Sequence, residues 1–150
     1  MMKTIRKNQF ETNSSSVHTL AYRNVKWADP DLPINPATNK VIGRLGHFGK
    51  DFNYYETQRD KLSYLLTVMW CFCGENFDKT EHCWYFGELT DVIKKHCDCD
   101  GLEIDRDSDG SIDHQSFPEY YGSCELFELT EYNMEHFIFN DNIMLHTTCD

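Results

Sequence analysis

The sequence predicts an α+β domain, with about two helices packed on a mostly antiparallel sheet and a structural zinc site stabilising both. Three observations carry that expectation. Leu62, Leu65, Leu66 and Met69 recur at helical spacing, and Val92 and Ile93 point to a second helix ending near His96. Residues 101–105, 111–117, 124–129 and 134–146 read as strands, with turn-forming clusters between them. Between Cys71 and Cys99 lie five of the seven cysteines and two of the seven histidines, ligand types that suit zinc.

A chain of 150 residues is most simply one domain, large enough to bury a core without help from a metal. An apolar content of 40% and an aromatic content of 14% argue for a folded globule over a disordered tail. The start, MMKTIRKNQF, is basic with no apolar run behind it, which predicts no signal peptide. No window reaches the roughly 18 consecutive apolar residues of a spanning helix, so no membrane partner is expected and the setting reads as cytosolic. Over 1–150 the domain divides into a basic arm and strand (1–22), a proline-rich loop (24–40), a helical Cys/His region (57–99) and an acidic β region (100–150).

In the first segment, Asn13-Ser14-Ser15-Ser16 is turn chemistry, because these side chains bond their own backbone. A serine nucleophile with His18 as its base is the sharper reading. The sequence supplies neither the orienting third group nor oxyanion donors for it. Pro30, Pro33 and Pro36 make the next segment a surface loop. Gly43, Gly46 and Gly49 fit tight turns among aromatics, not a phosphate-binding loop. The clearest helix runs over 57–72, with Thr57 as N-cap and Gly74 as its stop. The second starts at Thr80 or Thr90 and ends at His96. Residues 101–105 and 111–117 flank a Ser-Asp-Gly turn and predict a hairpin, and 134–146 predicts two strands paired through Asn140-Asp141-Asn142.

An odd cysteine count in a cytosolic chain fits metal binding or free thiols better than a disulfide framework. The candidate zinc ligands are four of Cys71, Cys73, His82, Cys83, Cys97 and Cys99. An antiparallel helix pair would bring Cys71, Cys73, His82 and Cys83 to one end. Cys97 and Cys99 join them only if the second helix is short. Cys71 and Cys73 cannot both face one ion from a regular helix, so the chain must unwind there. Full coordination by protein ligands makes such a zinc structural, whereas a catalytic zinc needs an open position and a base such as Glu75 or Glu81. The competing account is that these cysteines are small buried hydrophobes. Asp105 to Asp113 follows the first nine positions of a calcium-binding EF-hand loop, but Ser116 stands where a bidentate glutamate is needed and the flanks read as strands. Calcium is therefore not expected.

Charge separates the two parts of the chain. Residues 1–50 carry eight Lys/Arg against three Asp/Glu, and residues 51–150 carry six against twenty-two. The acidic part would repel phosphates, so direct nucleic-acid binding by it is not expected. The candidate partner-binding face comprises Asp98, Asp100, Glu103, Asp105, Asp107, Asp109 and Asp113, suited to a basic protein surface. The bland alternative is a charged surface serving solubility alone.

The opening, Arg6-Lys7-Asn8 followed by Phe10-Glu11-Thr12-Asn13-Ser14-Ser15-Ser16-Val17-His18, resembles small phage and prophage proteins whose N-termini read RKNxFETNSSSxHS. Lys61-Leu62-Ser63-Tyr64-Leu65 and Ile112-Asp113-His114-Gln115-Ser116 look like further pieces of that group. The cysteine cluster is not part of its common pattern. Among phage inhibitors of host defence, the chain looks most like a zinc-containing type II-A anti-CRISPR protein. That resemblance implies a stoichiometric, non-catalytic inhibitor of a Cas9-type effector in the cytoplasm of the bacterial host, hindering target-DNA loading. The rival expectations are a phage enzyme acting on a nucleotide or host protein through His18 or His114, and a zinc-stabilised adaptor for another host protein.

Overall fold

A computed structural model describes residues 25–49, 53–112 and 127–147. In chain order these form β1 (Ile34–Asn35), β2 (Lys40–Gly43), β3 (His47–Phe48), β4 (Asn53–Tyr55), α1 (Gln58–Phe72), α2 (Phe77–Glu81), α3 (Trp84–His96), β5 (Gly101–Ile104), β6 (Ser111–Ile112), α4 (Glu131–Phe139) and β7 (Leu145–Thr147). The α+β class holds. The described residues hold four helices against an expected two or so, and their sheets are small and mixed in direction.

Helix α1 is the element around which the others pack. The Thr57 side chain accepts the Asp60 backbone N–H at 3.1 Å, satisfying one of the free donors at the helix start. The helix ends where Gly74 and Glu75 take positive φ, at 70° and 59°, as the glycine predicted. Leu62, Leu65, Leu66 and Met69 are buried, as their spacing requires. So are Lys61, Tyr64, Thr67 and Val68, because the helix is covered on several sides by α2, α3, α4 and β2. Gly43 in β2 lets that strand approach: a Cβ there would overlap Leu66 Cδ1 and lie 3.3 Å from Leu62 Cδ2. Its role is close strand–helix packing and not the turn that its spacing from Gly46 and Gly49 suggested.

Among the described residues the expected hairpin between 101–105 and 111–117 is not formed. Strand β5 pairs parallel with β2, Val41 opposite Leu102, and β6 pairs parallel with β3, Phe48 opposite Ile112. The connections run side by side as well, with Asp105 N–H donating to Gly43 O (2.8 Å) and Ser111 N–H to Gly46 O (3.0 Å). Segments 40–48 and 101–112 therefore lie alongside each other in the same direction, which requires the long helical crossover through α1, α2 and α3. Among the described residues antiparallel pairing joins β1 with β2 and β4 with β7, the latter matching Tyr55 to Leu145, and an isolated antiparallel bridge joins Trp27 to Asn140.

The strands expected over 134–146 are also corrected. Thr130 caps α4 by accepting Asn133 N–H at 3.1 Å, and Met134, Phe137 and Ile138 turn inward at helical spacing. Only the last part of that segment, β7, is extended. The second expected helix is divided into α2 and α3, the latter starting at Trp84 behind the cap position of Cys83. Val92 and Ile93 are buried, as predicted. No described helix is long and apolar enough to cross a membrane. The arm at 1–22, with Ser14–Ser16 and His18, lies outside the described residues, as do 113–117, with Asp113 and His114, and 124–126.

Candidate functional site

The six predicted metal ligands fall at helix ends. Cys71 lies in the last turn of α1 and Cys73 is its C-cap, so the chain does leave the helix between them. His82 ends α2, Cys83 precedes α3, and Cys97 and Cys99 follow α3. The thirteen residues of α3 hold Cys83 and Cys97 about 20 Å apart at 1.5 Å per residue, so one ion cannot draw on both ends. The His82 ring is tied to α2, with Nδ1 2.7 Å from Asp78 O. Burial pushes the Cys97 thiol up to about 11, with Cys99 adding to the shift. Burial also raises the Cys71 thiol, helped by the Glu75 carboxylate. All five described cysteines are free thiols, and the described residues gather no group of three or more His, Cys, Asp or Glu side chains able to hold a metal.

The predicted acidic face is divided by β5. Asp98 and Asp100 precede the strand; Asp105, Asp107 and Asp109 follow it, about 13 Å further on at some 3.3 Å per residue. Not every member is free. Asp105 pairs with Arg44, and its Oδ1 accepts Asp107 N–H at 3.0 Å. Ser108 Oγ donates to Asp105 O and accepts Leu45 N–H, so the calcium-like loop is closed on its own partners. Glu103 accepts a hydrogen bond from Asn35 Nδ2 (2.9 Å), and Asp109 lies 3.7 Å from His47 Nε2. Asp98, Asp100 and Asp107 are exposed and belong to no ion pair among the described residues.

The fold places a cleft of about 710 Å³ along this face, between β5 on one side and α2 and α3 on the other. Phe86, Leu102 and Ile104 give it an apolar floor; Asp91, Asp100 and Glu103 line its rim with Lys40. Arg106 stands at one end but its charge is already taken, by Asp78 at 2.8 Å and Glu81 at 2.6 Å. The other Glu81 oxygen accepts Ile104 N–H at 3.0 Å, which fixes α2 to the sheet. Asp91 is the carboxylate that sequence reasoning missed. It sits on α3, and nothing in its own neighbourhood signals that α3 packs beside β5.

A second missed constellation joins α3 to α4. Glu135 Oε2 accepts from His96 Nε2 at 2.6 Å and from Lys95 Nζ at 2.8 Å. Burial raises the Glu135 carboxyl, but the bonds from Lys95 and His96 together outweigh it and hold the group below its ordinary value. The His96 ring stacks on Phe139 (centroids 4.2 Å apart), and the half-exposed Trp27 leans on both His96 and His136. Burial lowers the His136 imidazole. A carboxylate orienting a histidine is half of a nucleophile-activating triad. Among the described residues the pair contacts Lys95, Phe139 and Trp27, and it bolts α3 to α4.

No protein-family model, curated protein or solved structure matches this chain.

Proposed function

We propose that the chain is a non-catalytic binding protein that lays its acidic cleft on a basic, nucleic-acid-binding surface of another protein. The carrying observation is the uncompensated charge at the cleft and its ends: Asp91, Asp98, Asp100 and Asp107 have no cationic partner among the described residues. The apolar floor beneath the rim supports the same reading, since an apolar centre with a charged rim is how protein interfaces are built. The sequence resemblance makes a Cas9-type effector the partner to test first, because such effectors hold nucleic acid in a positively charged channel. Binding there would hinder DNA loading stoichiometrically, with no chemistry.

Purified chain is mixed with a Cas9–guide complex, and complex formation and target-DNA binding are measured. A stable complex that excludes target DNA is the expected result. Joint replacement of Asp91, Asp98, Asp100 and Asp107 by asparagine should release it, and rising salt should weaken it as exposed charges are screened. No complex at low salt would sink the choice of partner, and a complex indifferent to the four replacements would sink the choice of surface. Zinc is a separate part of the proposal, supported by the sulfur and imidazole ligands crowded between Cys71 and Cys99. Elemental analysis tests it: one zinc per chain would mean that four of Cys71, Cys73, His82, Cys83, Cys97 and Cys99 close on a metal. Metal-free, stable protein would make them core and cap residues.

A further inference from the structure

We infer that the acidic surface continues across α3 to Trp84, and that Trp84 is the stacking platform for an arginine side chain of the partner. This rests on the protein-binding reading above and adds the residue type that the surface takes.

Trp84 is the first residue of α3 and is 74% exposed, more than any other large hydrophobic side chain described. An indole this bare is not explained by the core. Trp84, Glu88 and Asp91 stand at i, i+4 and i+7 on α3, one stripe of the helix, with the indole N–H within reach of the Glu88 carboxylate. Glu131, at the start of α4, and Asp91 both lie within electrostatic reach of Glu88. Asp91 in turn lines the cleft, so cleft and indole belong to one continuous surface. Burial pushes the Glu88 carboxyl up, and crowding by Glu131 and Asp91 adds to the shift against the opposing bond from Trp84. No described lysine or arginine pairs with any of these three carboxylates. An incoming cation would relieve that crowding.

Arginine suits the place better than lysine. Its guanidinium is planar and weakly hydrated, and can stack on an indole while donating N–H groups sideways to carboxylates. A lysine ammonium is a compact, strongly hydrated charge that satisfies the carboxylates but gains less from the ring. The surface should therefore tell two peptides of equal charge apart.

The probes are an oligo-arginine and an oligo-lysine peptide of equal length, fluorescently labelled and titrated into the full chain at one ionic strength. The parent protein should bind oligo-arginine more tightly. Trp84→Ala should weaken oligo-arginine about three- to fivefold and erase the preference, with Trp84→Phe restoring part of both. Because the side chain is exposed, both variants should keep the parent's circular dichroism and melting temperature. Unchanged oligo-arginine affinity in Trp84→Ala overturns the inference, as does an equal loss for both peptides or a parent that binds neither. Failure of the Cas9–guide complex to form, with the peptide result intact, would overturn the partner assignment and leave the arginine platform standing.

Discussion

Lys61 provides the sharpest test of the packing around α1. Its side chain is 1% exposed, and its Nζ donates to Ile143 O at 3.0 Å, tying the helix to the loop after α4. Burial lowers the amine from 10.5 to about 8, against the opposing pull of Asp141 and Glu56. The sign follows from proton linkage. Between pH 8 and 10.5 the unfolded chain holds a proton that the folded chain has released, so the folded state gains stability as pH rises through that window. Below it both forms are charged, and keeping the charged amine buried costs about 3 kcal/mol at roughly 1.4 kcal/mol per pH unit. Lys61→Met removes both the charge and its titration. It also leaves the Ile143 carbonyl without its donor, a loss of about 1–3 kcal/mol that largely offsets the relief. At pH 7 the variant should therefore unfold in urea within about 2 kcal/mol of the parent. By pH 10 the parent should have gained about 2.5 kcal/mol on it. Cys97 is common to both proteins and drops out of the difference. Parallel pH profiles for the two proteins would refute the argument, since they would mean that Lys61 titrates alike folded and unfolded.

Two glycines separate close packing from backbone entropy. Gly43→Ala forces a methyl group onto Leu66 and should lower the urea midpoint by the equivalent of about 1–3 kcal/mol, whereas an unchanged midpoint would deny the close strand–helix approach. Gly87→Ala, on an open helical site with nothing within 4 Å, should stabilise by about 0.5–1 kcal/mol. Glu135→Gln gives up the ion pair with Lys95 and the carboxylate that His96 Nε2 contacts, and should cost about 1.5–3 kcal/mol at pH 7. Because the Glu135 carboxyl is held below its ordinary value of 4.5, that difference should be full above pH 4.5 and fade as pH falls further; a gap constant down to pH 3 would deny the ion pair. Alkylation at pH 8 followed by mass mapping should find Cys97 slow to label, its thiolate being about a hundredfold scarcer than that of an ordinary thiol. Cys97 labelling among the first would contradict its burial.

Much of α1 is legible in the sequence because its signals are local. Thr57, the Leu62–Met69 spacing and Gly74 each act within one or two helical turns, and the structure uses all three. The acidic loops on either side of β5 were legible as charge, but their pairing was not. That Arg44 engages Asp105, or that Arg106 engages Glu81, depends on segments brought together by the parallel run of 40–48 beside 101–112. The same limit hid Asp91 from the predicted face.

By itself the sequence determined an α+β class, a helix over 57–72 with its boundaries, the inward turn of Val92 and Ile93, and an acidic second part. These depend on composition and on side chains a few residues apart. The tertiary structure alone decided that β5 pairs with β2 instead of with β6, because alternation marks a strand without naming its partner. It also decided that Glu131–Phe139 is helical. An apolar, aromatic run satisfies either geometry in isolation, and here packing against α1 and α3 selects the helix. The cleft and the Glu135–His96 contact both join residues far apart in the chain. Such contacts exist only once the helical crossover has closed, which no local pattern encodes.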